Sequence, residues 1–289
     1  MKVPVGSRIL DCTDRPAIMG ILNVGTDSPV SHSVVPVEQA VARAGDLRDS
    51  GAAIIDVGAH STRSGGEAPT PQEEIDRLCP TIEALAREGH LISVDTWTPA
   101  VADAAAQAGV HILNDVSGAT DPAMIQVAAA HQLPLIVMHM RGRPKQHRET
   151  SQRYDDIASE VRDYLAERIQ TLTQAGVPDV WIDPGFEFAK SLGDNLRMLI
   201  DLPNLVTLGH PVVISASRKG FLAELLGHGA LRSSQTQAAT GILEATLAFN
   251  TLAAYLGTHV LRVHDVEEVN RILNVVEGVR ATARSIHSP

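Results

Sequence analysis

Leu91-Ile92-Ser93-Val94-Asp95-Thr96 is the stretch on which the reading of the fold turns. A short apolar run stops abruptly at a carboxylate. Pro99 follows, then the alanine-rich stretch Ala100 to Ala108, then Gly109. Such a run, bounded by Gly or Pro, reads as a buried strand, and the alanine-rich stretch reads as a helix. A carboxylate at the end of a buried strand is too costly to leave unpaired. It therefore faces a partner, a ligand or water.

Outward from this stretch the same move recurs. Ile18-Met19-Gly20-Ile21-Leu22 leads to Asn23, and Ile54-Ile55 to Asp56. His111-Ile112-Leu113 leads to Asn114-Asp115, and Leu135-Ile136-Val137-Met138 to His139. Val180-Trp181-Ile182 leads to Asp183, Val212-Val213-Ile214 to Ser217-Arg218-Lys219, and His259-Val260-Leu261 to Arg262-Val263-His264. Helical stretches are expected over 37–49, 72–88, 100–108, 122–131, 155–175, 238–256 and 267–283, after a polar N-terminal segment. About eight strand–helix units predict a single (β/α)8 TIM barrel, one domain across 1–289. An open doubly wound sheet is the runner-up, but no GxGxxG follows the first strand.

The chain has 289 residues, 44% hydrophobic and 20% charged, enough for one large core. A formal net charge of −10 argues against a nucleic-acid partner. The two cysteines, Cys12 and Cys79, are too few for a disulfide framework and fit a reduced cytoplasm. No apolar run follows Met1-Lys2-Val3-Pro4, so no signal peptide is expected. The apolar stretch from Ala238 to Leu256 carries Glu244 and Asn250 and reads as a buried or interface helix, not a membrane span.

In a barrel the C-terminal strand ends share one face, where an active site sits. Asn23, Asp56, Asp95, Asn114, His139, Asp183, Lys219, Arg262 and His264 are expected around one mouth. A single polar strand end is most often a helix cap, and Asp56, Asp115, Thr96 and Ser217 are open to that reading. Asp95, Asn114 and Asp183 offer acceptors and one amide, suited to a flat heterocycle with an amino-amide edge. Asn23, Arg63, Arg262 and His264 offer donors and charge, suited to phosphate oxygens. Arg63 lies in the glycine-flanked stretch Ser61 to Gly66.

These residues lie in motifs that resemble dihydropteroate synthases over nearly the whole chain: IMGILNV (18–24), IIDVGAHSTR (54–63), ISVDT (92–96), HILNDVSG (111–118), VMHMRG (137–142), IDPGFEF (182–188), SRKGF (217–221) and LRVHDV (261–266). The resemblance implies condensation of 6-hydroxymethyl-7,8-dihydropterin pyrophosphate with p-aminobenzoate, releasing pyrophosphate. It places Asp95, Asn114, Met138, Asp183 and Lys219 on the pterin. It places Asn23, Arg63, Arg262 and His264 on the pyrophosphate, with Mg²⁺ near Asn23. Catalysis would fall to Asn23, Arg63, Lys219, Arg262 and His264. The family typically dimerises through its late helices, so a homodimer is expected, in the cytoplasm.

The resemblance fails in places. The family's first loop, NVTPDSFSDGG, is here Asn23-Val24-Gly25-Thr26-Asp27-Ser28-Pro29-Val30-Ser31-His32-Ser33. Loss of its aromatic removes a stacking surface worth about 0.5–1.5 kcal/mol. His60 stands where glutamate is usual, Glu187 and Ala189 replace glycines, and Gly220 stands where serine is frequent. Loss of that serine removes a hydroxyl able to meet the acceptor's carboxylate. Thr62, Phe188, Glu187 and Gly220 are thus the acceptor-side candidates. Glu187 either points into the mouth, repelling an anionic acceptor, or points to solvent. The donor half reads as retained and the acceptor half as rebuilt. The alternatives are a pterin-dependent transferase using another amine in specialised metabolism, and a pterin-binding protein without synthase turnover.

Overall fold

The computed structural model describes residues 1–25, 39–59, 70–142, 144, 153–229, 231 and 233–287. The chain opens with an antiparallel hairpin, β1 (Lys2–Val5) and β2 (Arg8–Asp11). The barrel elements follow: β3 (Ala17–Asn23), α1 (Ala40–Asp49), β4 (Ile54–Gly58), α2 (Pro71–Arg87), β5 (Ile92–Asp95), α3 (Pro99–Gln107), β6 (Ile112–Asp115) and α4 (Pro122–Ala130). The second half runs β7 (Leu135–Met138), α5 (Ile157–Gln174), β8 (Val180–Asp183), α6 (Leu192–Ile200), α7 (Leu202–Val206), β9 (Val213–Ile214), α8 (Gly220–Leu225), α9 (Ser233–Gln237), α10 (Ile242–Tyr255), β10 (Val260–Val263) and α11 (Val266–His287).

Strands β3 to β8 form a parallel ladder in sequence order, and β10 joins β9 to β3, again in parallel. A parallel bridge between Ile182 and Val212 closes the ring between β8 and β9. The expected (β/α)8 barrel is the observed fold. Strands β4, β6, β7 and β8 are buried on both faces, which is why they read as continuous apolar runs and not as alternating ones.

Three parts of the chain depart from the sequence expectation. The N-terminal segment is the β1–β2 hairpin, which puts Val3, Val5 and Cys12 against Met19, Ile54, Ile112, Trp181 and Val260. It covers the end of the barrel opposite the polar strand tips. The period-2 spacing of Val3 and Val5 ahead of Gly6 was its signal. Helices α6 and α7 fill the stretch between β8 and β9. Ser191 and Asp194 open α6 with a reciprocal cap, as Thr70 and Glu73 open α2. The stretch read as a long helix from Ala238 is shorter, α10, with Thr246, Phe249 and Asn250 buried. Among the described residues no helix is long and apolar enough to cross a membrane.

Candidate active site

The register of the ladder sets the site. Asn23 on β3 aligns with Gly58 on β4, Gly58 with Asp95 on β5, and Asp95 with Asn114 on β6. These four residues form one row around the mouth. A Cβ built on Gly58 would lie 3.4 Å from Asn23 Oδ1 and 3.7 Å from Asp95 Cβ, so the glycine lets the two side chains approach. Met138 aligns with Asp183 across β7 and β8.

Arg262, from β10, reaches across this row. Its Nε donates to Asp56 Oδ2 at 2.5 Å and its Nη2 to Asp95 Oδ2 at 2.7 Å. Asn114 Nδ2 lies 3.5 Å from both Asp56 oxygens. Burial works against the Arg262 charge, but Asp56 and Asp95 outweigh it and hold the guanidinium more firmly protonated than usual. Burial also pushes the Asp95 carboxyl up, to about 7; Arg262 pulls it down and Asp56 adds to the rise. Asp95 Oδ1 is buried, and no described residue donates to it. A buried acceptor without a donor is costly, commonly by about 1–3 kcal/mol.

At the next tips, Asp183 Oδ1 accepts the Gly185 N–H at 2.6 Å. Burial raises its carboxyl against the pull of Lys219, Lys190 and Arg262. Lys219 Nζ donates to the Phe186 carbonyl at 2.9 Å and lies 4.5 Å from the Phe188 ring centroid. Phe188 packs with Met138, Met140 and Val116, and Trp97 lies against them. The mouth thus has an apolar patch beside its carboxylates.

The loop after β8 is held from beneath. Lys190 is buried, and its Nζ donates to the carbonyls of Gly185 at 2.9 Å, Phe188 at 3.1 Å and His139 at 3.2 Å. It also lies 3.0 Å from His139 Nδ1. Burial, with Lys190 and Arg141 adding, pushes the His139 imidazole down to about 2, so the neutral ring accepts from the ammonium. Gly185 leaves no room for a side chain: a Cβ there would sit 2.0 Å from the His139 carbonyl oxygen. Glu187 (φ 75°) and Ala189 (φ 52°) hold left-handed conformations, at a cost of about 1–2 kcal/mol each. Both stand where the family pattern has glycine.

Residues 19–264 match the family described as pterin binding enzyme. The dihydropteroate synthase of Escherichia coli strain K12 is 37% identical over 285 residues, 96% of each chain. The chain belongs to the dihydropteroate synthase family. Two crystal structures of the Thermus thermophilus dihydropteroate synthase share its fold. The complex with 4-aminobenzoate has a TM-score of 0.84 at 36% identity, covering 96% of this chain and 100% of that one. The complex with 6HMPPP has a TM-score of 0.82 at 34% identity, covering 96% and 99%.

Within this dihydropteroate synthase fold, most of the expected residues meet. Asn23, Asp95, Asn114 and Arg262 share the row or reach across it, and Asp183, Lys219 and Met138 stand at the next tips. His264 lies on the β10 loop with its Nδ1 3.0 Å from Ser217 Oγ, which also accepts the His264 backbone N–H at 3.3 Å. Thr62, Arg63 and His60 lie outside the described residues, as does the first loop beyond Gly25.

Three expectations change. Asp56, open to a capping role from sequence, is fully buried on Arg262 and belongs to the site. Ser217 joins the β9 and β10 loops and caps no helix. His139 turns to Lys190 and supports the β8 loop. Thr96 and Asp115 do satisfy local turns: Thr96 Oγ1 accepts the Thr98 N–H, and Asp115 accepts those of Ser117 and Ala119. The Glu187 carboxylate accepts the Gly220 N–H at 2.9 Å.

Proposed function

We propose that this chain transfers a dihydropterin-methyl group from 6-hydroxymethyl-7,8-dihydropterin pyrophosphate to a primary aromatic amine of the p-aminobenzoate kind, releasing pyrophosphate. Membership of the dihydropteroate synthase family supports the reaction class. The observation that carries the reading is the unpartnered Asp95 Oδ1, a buried acceptor beside Asn114. A pterin ring supplies N–H donors of that kind, and no diphosphate tail alone does.

In this reading Asp95, Asn114 and Asp183 take the amino-amide edge of the ring, and Lys219 and Met138 border it. Arg262, His264 and Asn23, with Arg63 from the motif alone, are assigned to the diphosphate. The C–O bond to the diphosphate breaks with its electron pair on the leaving oxygen. The amine lone pair forms the new C–N bond, and the nitrogen then gives one proton to solvent. The arylamine is already neutral, so no base-activated nucleophile is required. The residues' work is positioning and stabilisation of the leaving charge.

Among the described residues no cluster of three or more His, Cys, Asp or Glu side chains is arranged for a metal. Asn23 offers one amide oxygen. That fits Mg²⁺, which takes few protein ligands and fills its octahedron with phosphate oxygens and water. Bound there, Mg²⁺ would neutralise charge on the departing diphosphate. Exposed Leu252, Tyr255, Val275 and Val279 on α10 and α11 support a homodimer through that face. The chain is read as one barrel domain acting in the cytoplasm.

The test is titration calorimetry with the pterin pyrophosphate, followed by pyrophosphate release and product mass with p-aminobenzoate and other arylamines. Donor binding without release by any amine overturns the transfer reading.

A further inference from the structure

We infer that Tyr154 is a positioning residue for the donor site: by holding the Ala189 carbonyl, it keeps the left-handed loop after β8 in the shape that sets Phe188 and Lys219 together. This rests on the proposed place of Lys219 beside the pterin ring.

Each carbonyl from Gly185 to Ala189 has a partner, as buried backbone groups require. Those of Gly185 and Phe188 accept from Lys190 Nζ. That of Phe186 accepts from Lys219 Nζ at 2.9 Å, and that of Glu187 accepts the Lys190 N–H at 3.4 Å. The last, Ala189, accepts from the Tyr154 hydroxyl at 2.9 Å. Lys219 and Tyr154 thus grip one loop at Phe186 and Ala189, with Phe188 between them. The Phe188 ring centroid lies 4.5 Å from the Lys219 ammonium.

Tyr154 is itself held. Arg141, from the loop after β7, lies over its ring with Cζ 3.8 Å from the centroid. The guanidinium is fixed in turn: Nε donates to Glu160 Oε1 at 2.7 Å, Nη2 to Glu160 Oε2, and Nη1 to the Arg153 carbonyl at 2.6 Å. Burial pushes the Tyr154 phenol up to about 12, so the hydroxyl keeps its proton and donates. A single strut runs from Glu160 on α5 through Arg141 and Tyr154 to the β8 loop.

This loop depends on the strut more than a glycine loop would. Glu187 and Ala189 hold positive φ, which an L side chain disfavours and glycine accepts freely. Their local preference is to leave this shape. Released at Ala189, the loop relaxes towards negative φ and carries Phe188 and the Phe186 carbonyl away from Lys219.

The test is Tyr154→Phe, which removes one oxygen and keeps the ring under Arg141. Calorimetry gives the Kd for 6-hydroxymethyl-7,8-dihydropterin pyrophosphate, which is expected to rise tenfold or more while circular dichroism shows the barrel folded. Two companions separate positioning from plain stabilisation. Ala189→Gly puts at that place a residue at ease with positive φ, so Y154F/A189G should bring the donor Kd back to within about threefold of the unmodified chain. Lys219→Met removes the group through which Tyr154 acts, so adding Y154F to it should change the donor Kd less than twofold.

A donor Kd within twofold of the unmodified value in Y154F overturns this inference and leaves the transfer reading standing. So does a full Y154F effect on top of Lys219→Met, or the lack of recovery with Ala189→Gly. Should Lys219→Met bind the donor too weakly to measure, Y154F and its recovery decide. Absence of donor binding by the unmodified chain overturns the transfer reading, and this inference with it.

Discussion

Arg262 and Asp56, separated by 206 residues, meet at 2.5 Å across the mouth of the barrel. The same guanidinium reaches Asp95 at 2.7 Å. One cation thus holds two buried carboxylates of β4 and β5 beside each other, where alone they would repel. The pairing leaves Asp95 Oδ1 for a ligand.

Arg262→Met is expected to strand both carboxylates. Breaking a buried ion pair by removing one partner typically costs about 3–5 kcal/mol. Urea unfolding should show a loss of that size, and donor binding should fall with it. A stability change below about 1 kcal/mol would mean that the triad is solvated and contributes little.

Asp183→Asn tests the ring edge without breaking the loop. Its amide oxygen can still accept the Gly185 N–H, while its other atom becomes a donor. Donor affinity is expected to fall by about 1–3 kcal/mol, the cost of an unmet polar pair. Thermal stability should move little. Unchanged donor affinity by calorimetry would remove Asp183 from the ring site.

The raised Asp95 carboxyl gives two opposite pH trends. Between the ordinary carboxylate range and about 7 the folded chain holds a proton that the unfolded chain has released. The contribution of this group to stability is therefore full below that window and declines as pH rises through it. Donor binding needs the ionised oxygen, so affinity should increase as pH rises through about 7. Calorimetry across this range should show the trend, and Asp95→Asn should flatten it. A flat profile in the unmodified chain would show that Asp95 is ionised throughout.

Lys190→Met is expected to leave three loop carbonyls without their shared donor. The cost should be about 2–5 kcal/mol, judged from about 1–3 kcal/mol per unmet buried group with partial relaxation. Hydrogen exchange should rise at Gly185 to Ala189 before it rises elsewhere.

Arg218 and Asp265 form a bidentate pair at 2.8 and 2.7 Å that ties the β9 loop to the end of β10. Arg218 holds a left-handed φ of 53°, and its N–H donates to Thr246 Oγ1 at 3.1 Å. Asp265→Ala should misplace both Lys219 and His264, lowering kcat by tenfold or more while the barrel stays folded. Intact kcat would make the pair purely structural.

The barrel was legible because its signal is local and repeated. Each buried strand is an apolar run, and each tip is polar, so Asp95 and Asp183 stand out within their own few residues. What stayed hidden depends on partners far along the chain. Nothing near Asp56 marks it as the partner of Arg262, and a lone aspartate at a strand end looks like a cap. Lys190 reads as a surface lysine until the loop folds over it and closes around its ammonium. The β1–β2 hairpin is faint in the sequence because its strands are only four residues each, so Val3 and Val5 supply a single repeat of the alternation. Glu187 and Gly220 each read as an isolated departure, since their contact exists only once the β8 and β9 tips lie side by side.

The ring is thinnest where it closes. β9 contributes just two ladder residues, and a lone bridge from Ile182 to Val212 joins its approach to β8. The junctions of β3 with β4, β4 with β5 and β7 with β8 are stitched by longer ladders. The Glu187–Gly220 bond spans the gap above that seam like a clasp, so a side chain at one loop tip helps to fasten the barrel where its ladder is shortest.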